Sequence, residues 1–287
     1  MAAGHVVKSS GRTVKNMIHE YYIPFKGIGK KTIYHFNDSH LSEYDSLSDE
    51  EEKKKAIKGT NDWSWMREDY TRWYGEPYED FQKLPARKHF EIMLSEAQNG
   101  DVLVMAGDIL DYVSMPNIRY TDAALSGFGK PYMAICGNHE IPDEIPEGCA
   151  LSGMKYPIQV LDLFDMQIIG IDNSTRSVTK DQLKTLQALL GSGRPSLLAM
   201  HVPVKCEQNA ERLNGSGDGF QFNYDGCPEE NLEMLRLLNE YEENILAVLA
   251  GHLHYADNSF ITPRIRQYVC SQATVGNINK FYIGENI

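Results

Sequence analysis

Two pairs of residues combine side-chain types that bind metal ions. Asp38 and His40 flank a serine, and His252 and His254 flank a leucine. Residues two apart in extended or turn-like backbone point to the same side, so both members of a pair can reach one ion. Neutral imidazole is the commonest metal ligand among side chains. A strand-end carboxylate beside a surface histidine is the alternative for the first pair, whereas two histidines at this spacing favour a ligand pair.

Three further segments carry residues of the same kinds. A carboxylate at the end of a buried strand must be paired, capped or metal-bound, because an isolated buried charge is costly. An asparagine offers a neutral oxygen ligand, and the histidine after it offers a general acid. In chain order these residues are Asp108, Asp111, Asn138, His139 and His201. The alternative for Asp108 is a helix cap, and the alternative for His201 is a hydrogen-bonded core histidine.

Each of these segments follows a short apolar run. The runs are nearly continuous in hydrophobicity, which is typical of strands buried on both faces. A sixth run, at residues 167–171, ends at Asp172 and Asn173 and offers no clear ligand. The five runs that precede candidate residues cover residues 32–36, 102–106, 132–136, 196–200 and 245–250.

Segments with helical spacing lie between several of these strands. They cover residues 85–99, 179–190 and 228–243. The second opens with Thr179 and Gln182 at capping-box spacing. The third is expected to bury Leu232, Leu235 and Leu238.

Strands that alternate with helices predict an α/β fold. Short strands are predicted beyond residue 260, so the sheet system should be mixed. In such sheets, ligands bind outside the carboxyl ends of the strands. The candidate residues should therefore meet at one edge.

The five segments jointly resemble the ordered signature blocks of calcineurin-like metallophosphoesterases. The resemblance covers about residues 32–280 and implies a four-layer αββα sandwich with two mixed β-sheets. It also implies a binuclear centre of manganese, iron or zinc, among which the residue types do not choose. The implied ligands are Asp38, His40 and His254 for the first metal, Asn138, His201 and His252 for the second, and Asp108 as a bridge.

The same resemblance implies a reaction. A metal-bridging hydroxide would attack a phosphate mono- or diester, with His139 as general acid and Asp111 keeping it protonated and oriented. Tyr112 follows Asp111 where the protein Ser/Thr phosphatases of the superfamily carry an arginine, which argues against that branch. An inactive binding or scaffold protein and a nucleotide pyrophosphate-bond hydrolase are the alternative functions.

The chain is predicted to be a single domain over residues 1–287 with two insertions. An insertion at about 42–84 holds all three tryptophans, Trp63, Trp65 and Trp73, with Tyr70, Tyr74, Tyr78 and Phe81. These aromatic residues could cap a substrate, but packing against the domain is expected for most of them. A second insertion, at about 206–228, is a lid or a surface loop.

The charge and the cysteine content limit which binding partners and which cellular compartment are expected. The net charge of −12 argues against a broad nucleic-acid-binding surface. Five cysteines without a CxxC pair are read as free thiols. We find no signal peptide and no apolar run of membrane-spanning length, which predicts a cytoplasmic protein without a membrane partner. The oligomeric state is left open.

Overall fold

The computed structural model describes residues 5–9, 12–73, 75, 80–285 and 287, without the side chains of residues 5–9, 12–16, 70 and 71. Those residues contain twelve strands and six α-helices. The strands are β1 (His5–Ser9), β2 (Arg12–Pro24), β3 (Lys31–Phe36), β4 (Val102–Ala106), β5 (Tyr132–Ile135), β6 (Ile158–Asp162), β7 (Gln167–Ile171), β8 (Ser196–Ala199), β9 (Ile245–Ala250), β10 (Asp257–Phe260), β11 (Arg266–Val269) and β12 (Asn277–Gly284). The helices are α1 (Glu50–Trp73), α2 (Ala86–Ala97), α3 (Met115–Ser126), α4 (Lys180–Gly191), α5 (Ala210–Ser216) and α6 (Glu229–Glu240).

The strands form two six-stranded sheets. The first has the order β1-β2-β12-β3-β4-β5 and the second β10-β11-β9-β8-β7-β6. Strands β3, β4 and β5 are parallel, as are β7, β8 and β9, while β12 and β6 run antiparallel to their neighbours β3 and β7. Both sheets are therefore mixed, and each gathers the carboxyl ends of its central strands at one edge.

Strand β4 shows why its apolar run is continuous. Leu103 and Met105 pack among residues of α2 and α3, whereas Val104 and Ala106 pack among residues of the second sheet. Successive side chains of a strand point to opposite faces, so a strand covered on both faces needs apolar residues throughout.

The outer face of the second sheet is covered in the same way. Leu186 of α4 and Leu238 of α6 share a buried cluster with Val248 of β9. The layers are therefore helices, sheet, sheet and helices. The predicted αββα sandwich with two mixed sheets is confirmed.

Local signals predicted α4 better than α6. Helix α4 has the expected capping box, in which the Thr179 hydroxyl accepts from the Gln182 backbone N–H and the Gln182 side chain accepts from the Thr179 N–H. Helix α6 buries Leu238, but the prediction for Leu232 is wrong, because its side chain is exposed. The neighbouring Asn231 faces inward instead and donates to the carbonyls of Arg176 and Phe222.

The aromatic segment contains one long helix, α1. Trp63 is buried on it, whereas Trp65 and Trp73 are 66% and 79% exposed, so the expected packing is wrong for those two tryptophans. Tyr74 and Tyr78 lie outside the described residues, as does the side chain of Tyr70. Within the described part of the chain, no helix is both long and apolar enough to cross a membrane.

Candidate metal centre

The candidate residues all follow strands of the two sheets, at neighbouring carboxyl ends. Two backbone hydrogen bonds tie these strand ends together. The Asp38 N–H donates to the Gly107 carbonyl at 3.0 Å, and the Gly251 N–H donates to the His201 carbonyl at 2.9 Å. Each bond joins two of the five predicted segments, one pair in each sheet.

The backbone is strained where these residues lie. A positive φ is uncommon for residues other than glycine, and it persists only where the surrounding structure enforces it. Seven such residues occur in the described part of the chain, and five of them are predicted metal ligands. Those five are Asp38, His40, Asp108, His252 and His254. The fold holds these side chains in directions that relaxed strands would not give them.

We call the cluster of Asp38, His40 and His254 site 1. The two histidine Nε2 atoms lie 3.2 Å apart. Asp38 Oδ1 lies 3.3 Å from His254 Nε2 and 3.7 Å from His40 Nε2. All three residues are buried, and their ligand atoms lie within 4.8 Å of one another.

We call the cluster of Asp108, Asn138, His201 and His252 site 2. His201 Nε2 lies 3.2 Å from both Asp108 Oδ2 and Asn138 Oδ1. Ligand atoms of Asp108, His201 and His252 lie within 4.8 Å of one another. Asp108 Oδ2 is also 3.9 Å from His40 Nε2 of site 1. The carboxylate of Asp108 therefore faces both clusters.

The donor geometry of site 1 fits a metal ion. Two nitrogens bound to one ion at about 2.1 Å, with an angle near 100°, lie roughly 3.2 Å apart. That is the separation of the His40 and His254 Nε2 atoms. Asp38 Oδ1 is moreover buried without a hydrogen-bond partner. A buried carboxylate oxygen costs free energy unless something satisfies it, and a cation would do so.

A third cluster of possible ligands, His40, Asp111 and His139, fits a metal less well. His139 Nδ1 lies 2.9 Å from the carbonyl oxygen of Asp111, to which it can only donate. A nitrogen that carries this proton has no lone pair for an ion. Here the donor set favours a proton-transfer pair.

Hydrogen bonds behind site 2 fix the orientation of its two imidazoles. His201 Nδ1 lies 2.8 Å from the Ala106 carbonyl oxygen, and His252 Nε2 lies 3.0 Å from that of Gly219. Each ring therefore presents its other nitrogen, His201 Nε2 or His252 Nδ1, to the site. Metal-binding histidines in proteins commonly have such partners.

Two buried asparagines support the sites, and sequence reasoning missed both. Asn37 donates to the Asp38 carboxylate and to the Cys270 carbonyl. The Asn173 side-chain oxygen accepts from the backbone N–H groups of His201 and Val202, at 2.9 and 3.0 Å. Their positions were the available signal, because Asn37 directly follows an apolar strand and Asn173 lies near the end of one.

Glu140 is a further residue whose role was not predicted. It is buried, and its carboxylate accepts from the backbone N–H groups of Asp108, Gly137 and Leu110, at 2.8 to 3.0 Å. Burial, followed by the charge of Asp108, raises the pKa of Glu140 to about 7. Glu140 therefore joins the loop that carries Asp108 to the loop that carries Asn138.

The electrostatics of the centre attract positive charge. Burial alone would raise the pKa of Asp38 and Asp108, but the imidazoles of His254 and His201 outweigh it and hold both pKa values well below the usual range. Burial would lower the pKa of His201, yet Asp108 and then Asp38 raise it to about 10. A cation in the centre would take the place of the His201 proton, since a ligating imidazole must be neutral.

The predicted acid pair is also assembled. His139 Nδ1 lies 3.3 Å from Asp111 Oδ1, in addition to its contact with the Asp111 carbonyl. Burial lowers the pKa of His139, but the bond to the Asp111 carboxylate and the charge of Asp108 outweigh it and raise that pKa to about 9. The contact with Asp111 therefore favours the protonated form of His139.

Comparisons with known proteins agree with this architecture. A probable cyclic nucleotide phosphodiesterase of Synechococcus sp. is 29% identical over 165 residues, which are 54% of this chain and 58% of that protein. A dimetal phosphatase from Danio rerio aligns with 89% of this chain and 93% of its own, at 12% identity and a TM-score of 0.57. A purple acid phosphatase from yellow lupin aligns with 89% of this chain and 46% of its own, at 12% identity and a TM-score of 0.52.

The model of one family matches most of the chain. It is described as calcineurin-like phosphoesterase and matches residues 31–256, which include every candidate residue named above. The resemblance seen in the sequence is thereby confirmed, and so is the predicted enzyme class, a hydrolase that acts on phosphate esters. The chain belongs to the calcineurin-like phosphoesterase family.

Proposed function

We propose that this chain hydrolyses a phosphate mono- or diester at a binuclear metal centre formed by sites 1 and 2. The observation that carries the proposal is Asp108, whose carboxylate oxygen lies 3.2 Å from a ligand atom of site 2 and 3.9 Å from one of site 1. A single carboxylate between two ligand clusters suits a pair of cations about 3.5–4 Å apart. Manganese, iron and zinc all suit this mixture of carboxylate, amide and imidazole donors.

The roles of the residues follow from their positions. When bound, the two cations would neutralise phosphate charge and lower the pKa of water beside it. Asp38, His40 and His254 would hold one cation, Asn138, His201 and His252 the other, and Asp108 would contact both. His139 uses Nδ1 to donate to Asp111, so its Nε2 is the nitrogen that gives a proton to the departing ester oxygen.

Metal analysis combined with hydrolysis assays tests this proposal. The wild-type chain is expected to contain about two transition metal ions and to hydrolyse para-nitrophenyl phosphate or bis-para-nitrophenyl phosphate. The variant His139→Ala should keep the metals and lose roughly 10²-fold or more in kcat. His19→Ala is the matched control, because His19 lies on β2 and belongs to none of the ligand clusters found among the described residues.

Each outcome separates the alternatives. Absence of metal after reconstitution would overturn the proposal in favour of a binding or scaffold protein. Two metals with hydrolysis of a nucleotide pyrophosphate, but of neither ester, would favour pyrophosphate-bond hydrolysis. Full activity of His139→Ala would remove His139 from the reaction.

A cyclic nucleotide diester is a second candidate substrate. The relative from Synechococcus is named a probable cyclic nucleotide phosphodiesterase. An open groove of about 660 Å³ is lined by Trp73, Arg212 and Phe220, among others. The Phe220 ring lies 5.1 Å from that of His252, so the groove begins beside site 2. Aromatic side chains that flank a metal centre can stack on a base.

A comparison of two tryptophan variants tests this substrate. Trp73→Ala should raise KM for 3′,5′-cyclic AMP several-fold, about the loss of one stacking contact, and leave KM for para-nitrophenyl esters unchanged. Trp65→Ala, a change of another exposed tryptophan on the same helix, should alter neither. Equal KM values of the two variants for 3′,5′-cyclic AMP would exclude Trp73 from base binding.

We also propose a cytoplasmic location. Cys136, Cys149, Cys206 and Cys227 form no disulfide bond, which suits a reducing compartment. Separation of cell fractions followed by immunoblotting would test this location.

A further inference from the structure

Helix α1 contacts the domain along one narrow stripe. Among the helix positions whose side chains the structure describes, those buried are Ala56, Gly59, Trp63 and Arg67, which recur every three or four residues. A side chain at Gly59 would meet the side chains of Ser42 and Asp111, so the helix backbone approaches the centre closely. Most other positions of the helix are exposed or half-buried. The stripe therefore places Trp63 directly against the strand ends that carry the candidate residues.

The two sides of the Trp63 indole contact two different functional groups. Its Nε1–H donates to Asp111 Oδ1 at 2.6 Å. Its ring stacks on the imidazole of His40, with centroids 3.6 Å apart and planes 18° apart. Trp63 is only 8% exposed, so water does not compete freely for either contact. The first contact supports the acid pair, and the second supports site 1.

The carboxylate of Asp111 is held from two directions. Trp63 donates to Oδ1, and the Ser42 hydroxyl donates to Oδ2 at 3.1 Å. Oδ1 also lies 3.3 Å from His139 Nδ1. With both oxygens engaged, the carboxylate cannot rotate away from His139 without breaking a hydrogen bond. The hydrogen bond from Trp63 Nε1 ends on the same oxygen that contacts His139. It therefore fixes the position of that oxygen relative to the imidazole of His139.

We propose that Trp63 is a positioning residue for phosphate ester hydrolysis, which orients His139 through Asp111 and fixes the ring of His40 by stacking. This inference rests on the proposed function, because it assumes that His139 is the general acid. In the step concerned, the oxygen of a water molecule bonds to phosphorus and one proton of that water passes to solvent, while the bond from phosphorus to the ester oxygen breaks. The His139 proton passes to that oxygen, the alcohol leaves neutral, and His139 regains a proton from solvent.

The dependence of the rate on the leaving group isolates this role. A proton donor matters most when the departing oxygen is strongly basic and least when it is a stable anion. In Trp63→Phe, kcat for phenyl phosphate should fall about tenfold, and kcat for 2,4-dinitrophenyl phosphate less than about twofold. The corresponding methyl aryl diesters serve if the enzyme prefers diesters. A loss of folded protein would lower both rates equally.

Trp65→Phe is the matched control. Trp65 lies two positions away on the same helix and is 66% exposed, so neither rate should change. His139→Ala separates this inference from the proposed function. If His139→Ala shows the leaving-group dependence and Trp63→Phe does not, the role of Trp63 is refuted alone. If neither shows it, the assignment of His139 as general acid fails first.

A measurement on a chain that retains Trp63 tests the stacking contact without activity. In the double variant Trp65→Phe, Trp73→Phe, Trp63 is the sole tryptophan. Titration with Co²⁺, a paramagnetic quencher, should strongly reduce its fluorescence as site 1 fills. Unchanged fluorescence with stoichiometric Co²⁺ bound would show that Trp63 does not lie against a site 1 ligand.

Discussion

Sites 1 and 2 each combine an aspartate with two histidines but hold their imidazoles differently. In site 2, the outer nitrogens of His201 and His252 each contact a backbone carbonyl. In site 1, the outer Nδ1 of His40 is buried without a hydrogen-bond partner, and its ring stacks on Trp63. The geometry of site 2 is therefore set by loops of the fold, whereas that of site 1 depends also on α1.

The two sites are nevertheless supported by equivalent amide side chains and share one carboxylate. Asn37 contacts Asp38 in site 1, and Asn173 holds the His201 backbone in site 2. Asp108 faces both sites. Substitutions at the shared residue should affect the sites together, and substitutions at the supporting residues should affect them separately.

The largest effect is expected from Asp108→Asn. This change removes the negative charge that faces both sites while keeping the size of the side chain. Metal content should fall sharply, and kcat should drop at least about 10³-fold, equivalent to ~4 kcal/mol of barrier. Elemental analysis and ester hydrolysis measure the two losses.

The control for Asp108→Asn is Asp172→Asn. Asp172 also follows a buried strand, but its carboxylate accepts from the Ser174 N–H outside both sites. It should keep wild-type metal content and activity. Full metal occupancy in Asp108→Asn would contradict a shared bridging carboxylate.

Asn173→Ala and Asn37→Ala should separate the sites. Loss of a group that orients a ligand typically costs 10- to 100-fold in metal affinity, so each variant should lose about that much at its own site. Titration calorimetry with Mn²⁺ or Zn²⁺ would resolve the two binding events. Each variant is the control for the other. Equal weakening of both sites in either variant would mean that they do not bind independently.

Glu140→Gln should weaken the connection between the loop that carries Asp108 and the loop that carries Asn138. The carboxylate accepts three backbone N–H groups, and an amide in its place would turn a donor toward at least one of them. An unsatisfied buried donor costs about 2 kcal/mol. Thermal unfolding in the presence of a chelator should show a midpoint lower by about 4–8 °C.

The exposed Glu144 provides the control for that change. Glu144→Gln lies four residues further along the same loop and should leave the midpoint unchanged. An unaltered midpoint in Glu140→Gln would mean that the loops of Asp108 and Asn138 do not depend on this carboxylate.

The ligand candidates could be predicted because their signal is local. Asp38, His40 and His254 each lie within a few residues of a buried apolar run, and parallel strands bring such positions to one edge. The capping box of α4 is local in the same sense, because Thr179 and Gln182 are three residues apart. Local patterns of this kind need no knowledge of the packed structure.

The supporting residues could not be predicted in this way. Glu140 bonds a residue 32 positions away, and Trp63 bonds one 48 positions away. Nothing in the composition of α1 distinguishes Trp63 from Trp65, because only the packing of the helix decides which of them meets Asp111. The prediction of the inward face of α6 was wrong for the same reason, because Asn231 donates to the carbonyls of Arg176 and Phe222 in other segments of the chain.

The smallest effect is expected from Phe220→Leu, and it bears directly on the difference between the sites. Phe220 lies beside His252, but the Gly219 carbonyl still holds His252 Nε2 once the ring is removed. The affinity of site 2 should fall by less than about threefold, within the value of one aromatic contact. At site 1, Trp63→Leu removes a ring from His40, whose Nδ1 has no hydrogen-bond partner behind it, and should cost about tenfold or more. Titration calorimetry of both variants gives the two ratios. Similar losses would mean that the backbone carbonyl behind His252 does not make its orientation less dependent on a neighbouring ring than that of His40.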